Sequence, residues 1–104
     1  MEFDEAVEAI SARLAAQRQM SRQHSHELAA RLTSEGYKVE VVEGVGRWGV
    51  QVHDPKQPLL WITLWCSVYD DKASWEWIRS LDWSVPGDAY GDVVEFARSW
   101  LGQP

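Results

Sequence analysis

A single cysteine, four prolines and a shortage of positive charge set the first limits on this chain. One thiol cannot close an intramolecular disulfide, and Cys66, set in an apolar run, reads as a small buried hydrophobe. That run, Leu59 to Cys66, is the longest mainly apolar stretch and falls far short of the roughly 20 residues that cross a bilayer. Lys and Arg number 10 against 16 Asp and Glu, a net charge of −6, which argues against a nucleic-acid partner because phosphate needs a concentrated positive field. The opening Met1-Glu2-Phe3-Asp4-Glu5 is acidic where a secretory signal carries positive charge, so a cytoplasmic location without membrane partner is expected.

What is present suffices for one domain. A chain of 104 residues, 45% apolar and 25% charged, has room for one hydrophobic core. Phe3, Val7, Ile10 and Leu14 recur at helical spacing, and acidic residues at the start suit a helix N-terminus. Gly36 can end the helix in the left-handed conformation. Between lie Gln17, Ser21 and His24, three polar members of the same seam. Either one helix spans residues 3–35 and projects past the domain, or two helices meet near Ser21 to Ser25; the lack of Gly and Pro favours one.

From Tyr37 the period becomes two. Tyr37, Val39 and Val41 predict one strand, and Trp48, Val50 and Val52 a second, joined by a turn at Glu43-Gly44-Val45-Gly46. Residues 59–68 predict a third, apolar on both faces, and residues 73–79 a fourth with Trp75 and Trp77 on one face. A loop through Asp82, Trp83 and Pro86 then leads to a helix over 88–101, with Asp88 as its N-cap. The expected fold is α+β: a long N-terminal helix, a four-stranded antiparallel sheet, and a C-terminal helix packed on one sheet face. Residues 1–24 would form a helical arm and 25–101 the helix-sheet-helix core.

The order helix, strands, helix is similar to a double-stranded-RNA-binding domain, whose last helix starts with a basic cluster against phosphates. Here Gly87-Asp88-Ala89-Tyr90-Gly91-Asp92 stands at that place and would repel phosphate. Leu28-Ala29-Ala30-Arg31-Leu32, Gly36-Tyr37 with its Val-rich strand, and Trp75-Glu76-Trp77 before an amphipathic helix resemble small actinobacterial proteins of unknown function. The resemblance covers about residues 27–101 and implies a fold and a bacterial source, not an activity.

Seven Trp is the compositional fact that most needs a cause. Trp48 and Trp100 have aliphatic stripe neighbours and read as core. If helices cover both sheet faces, the remaining indoles are core as well. If they cover one, Trp61 and Trp65, joined by Trp75 or Trp77, form an exposed aromatic patch of the kind that binds proteins. Arg18 and Arg22, with Arg13, lie in a stretch from Ala9 to His26 without an acidic residue, either a solvated helix surface or a contact for an acidic partner.

The other candidates have weaker chemistry. His24 and His26 diverge by about 200° on a helix and cannot chelate one ion together. His53-Asp54 has no recognisable nucleophile beside it, and Asp70-Asp71 lacks the further oxygens of a calcium loop. Gly44-x-Gly46-x-x-Gly49 sits between antiparallel strands, where no helix N-terminus waits for phosphate. No catalytic residue, cofactor or metal site is expected. The expectation is a non-enzymatic protein-binding module (adaptor, inhibitor or immunity-type), with a homodimer through the first helix as one form. Two alternatives stay open: a ligand or single-strand nucleic-acid binder that stacks rings on Trp, and an enzyme with a site near His53 and Asp54.

Overall fold

The computed structural model describes residues 2–77, 80–102 and 104, with 80–85 described through their backbone. The elements are α1 (Glu2–Ser34), β1 (Val39–Glu43), β2 (Trp48–His53), β3 (Trp61–Tyr69), β4 (Lys72–Trp77), β5 (Ser80–Pro86) and α2 (Tyr90–Leu101). The fold is α+β, with the expected long first helix, antiparallel sheet and closing helix.

No Gly or Pro interrupts residues 2–34, and α1 runs through as one helix. It stops in a Schellman turn. The Gly36 N–H bonds the Thr33 carbonyl at 3.0 Å, and the Tyr37 N–H bonds the Leu32 carbonyl at 3.0 Å. Gly36 takes φ of 97°, where a side chain would be strained. The turn brings Leu32 and Tyr37 together in the core.

The sheet is an antiparallel meander in the order β1-β2-β3-β4-β5. It holds one strand more than the pattern suggested. The segment read as a loop through Asp82, Trp83 and Pro86 pairs with β4, from Trp77 opposite Ser80 to Ser74 opposite Pro86. A proline reads as a strand breaker, but β5 is an edge strand whose outer side needs no donor, so Pro86 is tolerated there. The last residues of the expected fourth strand, 78 and 79, lie outside the described residues. At the other end of β5 a turn absorbs Asp88: the Ala89 N–H bonds the Pro86 carbonyl at 3.0 Å. The N-cap of α2 is therefore Ala89, without a side-chain cap, rather than the expected Asp88.

Register decides which side chains share a face. Ile62, Leu64 and Cys66 stand opposite Val52, Val50 and Trp48 of β2, and Leu64 and Cys66 stand opposite Trp77 and Trp75 of β4. Except for half-buried Trp48, this set is buried with Leu28 and Leu32 of α1, and with Val93, Val94 and Ala97 of α2. Both helices thus cover the same face. Tyr90 of α2 shares a hydrogen bond with His24 of α1 at 2.6 Å, and Arg98 reaches Glu35 at 2.8 Å.

The polar seam of α1 has a structural use. Ser21 and Ser25 are buried where the helix crosses the sheet. The Ser21 hydroxyl accepts the Trp48 N–H at 2.8 Å and donates to the Cys66 carbonyl at 2.7 Å. Small side chains let the helix sit close, and the hydroxyl satisfies two backbone groups that the approach would otherwise strand.

Candidate functional site

The opposite face of the sheet carries no helix. Trp61, Thr63, Trp65 and Ser67 of β3 point there, with His53, Gln51 and Gly49 of β2 and Glu76 and Ser74 of β4 beside them. The aromatic patch expected from the sequence is therefore divided. Trp61 and Trp65 lie on this bare face. Trp75 and Trp77, expected as members of the exposed patch, lie instead in the core, 0% and 5% exposed, where no partner can reach them. Their strand parity was readable, but only the cross-strand register fixes which face the helices take.

On the bare face, Trp65 lies over a glycine floor. A Cβ at Gly49 would come within 2.7 Å of the indole, and one at Gly44 within 2.6 Å. This is the physical reason for two of the glycines in the Gly44-x-Gly46-x-x-Gly49 pattern: they make room for a ring, not a phosphate. The Arg47 guanidinium sits 5.1 Å from the ring centroid, held by the Ser67 hydroxyl at 2.7 Å and Glu76 at 3.2 Å. Trp65 is consequently only half-buried, while its Nε1 is enclosed without a hydrogen-bond partner. Trp61 is the open ring, 52% exposed and tilted against His53, with Leu59 and Leu60 exposed before it.

His53 and Asp54 do not form an acid–base pair. His53 Nδ1 bonds the Pro58 carbonyl at 2.8 Å, and Asp54 Oδ1 accepts the Lys56 and Gln57 N–H groups, fixing the turn. His24 is engaged with Tyr90, and His26 is exposed. Asp70 and Asp71 form the tight turn between β3 and β4, with φ of 52° and 61°, and Asp70 pairs with Arg13 at 3.2 Å. Among the described residues, no three His, Cys, Asp or Glu side chains gather as a metal-holding group.

Cys66 is fully buried, and desolvation pushes its thiol from 9.0 to about 11, opposed by the neighbouring Ser21 hydroxyl and the charge of Arg47. Burial raises Tyr37 and Tyr90 as well. A thiol that titrates higher when folded makes unfolding release protons in the window between the two values. Stability should therefore fall as pH rises from about 9 toward 11, the tyrosines adding in the same direction. Urea midpoints across that range test this, and Cys66→Val should flatten part of the slope.

A second unpartnered surface is on α1. Every described residue from 2 to 16 is exposed. Phe3, Val7, Ile10 and Leu14 stand 77%, 45%, 59% and 56% exposed on one stripe. The molecule measures 58 × 22 × 22 Å, and the arm accounts for its length. The arm is shorter than the expected residues 1–24, because Ser21 already touches the sheet. Arg18 stands exposed at its root, and Arg22 covers the Trp48 ring at 5.0 Å. These two arginines share no surface with Trp61 and Trp65, which face the other way. The stripe was visible in the sequence as a period; that it stays uncovered was not. Trp100, expected in the core, is 54% exposed and meets the Trp77 ring in an edge-to-face contact with centroids 4.2 Å apart.

No protein-family model, curated protein or solved structure matches this chain.

Proposed function

We propose that this chain is a non-enzymatic protein-binding module, of adaptor, inhibitor or immunity type, acting in the cytoplasm through the arm of α1. The observation that carries this reading is the free apolar stripe of Phe3, Val7, Ile10 and Leu14. Apolar residues at i, i+4, i+7 and i+11 on a helix are the pattern that inserts into another protein's groove or pairs with another helix. Leaving four such side chains in water costs roughly 1 kcal/mol or more each relative to burial, which favours a bound state. Among the described residues no helix is long and apolar enough to cross a membrane. Trp61 offers a second contact, on the bare sheet face.

A photoreactive amino acid in place of Ile10 tests the reading directly. In the native cell it should give an adduct of one discrete mass, while the same probe at exposed Glu95 gives none. An Ile10 probe that yields no adduct above the Glu95 level would overturn the proposal.

A further inference from the structure

The arm's stripe is aimed. Phe3, Val7, Ile10 and Leu14 lie, in order, 18 residues before Ser21, Ser25, Leu28 and Leu32, the four α1 residues buried against the rest of the fold. Eighteen residues is five turns at about 3.6 residues each, so the two sets point the same way. The free stripe therefore looks along the side on which the chain's own sheet sits. Whatever covers it must fit into the space beneath the arm, which is closed at the root by the β3–β4 turn. There a groove of about 460 Å³ is lined by Ile10, Arg13, Leu14, Gln17, Tyr69 and Asp70.

We infer that the occupant is the same arm of a second copy, running antiparallel. This deepens the reading of α1 as a protein-binding arm and rests on it. The stripe is self-complementary about its midpoint: reversed, Phe3 meets Leu14 of the second copy and Val7 meets its Ile10. That gives four apolar layers. Charge selects the same direction. Glu2, Asp4, Glu5 and Glu8 mark the tip; in this register Arg13, which also pairs with Asp70, falls opposite Asp4 of the second copy, and exposed Arg18 lies just past its tip. Antiparallel pairing sets tip against root; parallel pairing would set like charges side by side.

Sterics agree. Paired helices lie about 8–10 Å apart, and each domain is 22 Å across. A parallel second helix would run into the first copy's sheet beyond Gln17, and would bring both domains to one end. An antiparallel helix stops short of it. Phe3 of the second copy then lands in the groove at Leu14 and exposed Tyr69, and the two domains lie at opposite ends. The contact is short, so the expected dimer is weak, with Kd on the order of 10 µM.

Sedimentation of the purified full chain over a concentration series around that value should show monomer and dimer in exchange. Ile10→Glu should weaken the dimer by about 30-fold, by placing a charge in an apolar layer, while its circular dichroism stays unchanged because Ile10 contacts solvent. Raising salt should weaken the native dimer, since the pairing attracts tip to root. For direction, Phe3→Cys mixed with Leu14→Cys should cross-link under mild oxidation, and Leu14→Cys alone should not. Cross-linking of Leu14→Cys alone, or a dimer that ignores Ile10→Glu, overturns the inference. A strict monomer at every concentration also overturns it. In that case an Ile10 adduct in the cell with the mass of another protein would leave the protein-binding reading standing, and no adduct would remove both.

Discussion

Trp75→Ala is expected to lower the unfolding free energy by about 4 kcal/mol, a large share of the roughly 5–15 kcal/mol available to a domain of this size. The side chain is 0% exposed and is the largest fully buried one among the described residues. Its removal deletes a ring from the middle of the sheet and leaves a cavity that packed neighbours on β3 and α2 can only partly fill. It also deletes a tether. Trp75 Nε1 donates to the Gly87 carbonyl at 3.0 Å, and the Gly87 N–H donates to the Ala73 carbonyl at 2.7 Å. These two bonds pin the corner between β5 and α2 onto β4. Trp75→Phe keeps most of the buried area and loses the donor, leaving the Gly87 carbonyl short of a partner, so about half the effect is expected. Chemical denaturation of the three proteins checks the series. A Trp75→Ala loss below about 1 kcal/mol would mean that the ring is not in the core.

The contrast between Trp75 and Trp61 explains what was legible beforehand. Alternation along residues 73–77 puts Trp75 and Trp77 on one face, and alternation along 59–68 puts Trp61 and Trp65 on one face. Neither pattern says whether those faces coincide. That depends on Cys66 standing opposite Trp75, a pairing between segments that single-strand periodicity does not encode. β1 and β2, with their period of two, and β3, as an apolar run between turn residues, were readable, and so was α1, whose stripe and lack of breakers agree. β5 was not, because Ser80, Asp82, Ser84 and Pro86 carry loop chemistry and the pairing partner supplies the order. The arm was half legible. Its stripe repeats the angular pattern of the buried residues, so the sequence identifies the face; only the position of the sheet under Ser21, and not under Phe3, reveals that this face is left free.

Ser21 is where the pattern misleads most, and it yields the second large effect. The seam Phe3, Val7, Ile10, Leu14, Gln17, Ser21 invites an apolar residue at position 21, and a helix-pattern argument would expect Ser21→Leu to stabilise. The opposite is expected: a loss of about 3 kcal/mol, exceeding that of Ser21→Ala at about 2 kcal/mol. Alanine fits the space but removes the acceptor for the Trp48 N–H and the donor to the Cys66 carbonyl, stranding two backbone groups under the helix. Leucine strands the same two groups and in addition needs volume at a site that is 1% exposed and already closed by β2 and β3. To admit it, α1 must lift from the sheet near its root, which also disturbs the Arg22–Trp48 contact one residue away. Ser21→Thr keeps the hydroxyl and adds one methyl, so it should fall between native and alanine if the bond dominates, and beyond alanine if space dominates. Thermal and urea unfolding of the three variants decide the order. Ser21→Leu at or above native stability would show that the hydroxyl has no role in holding α1 to the sheet.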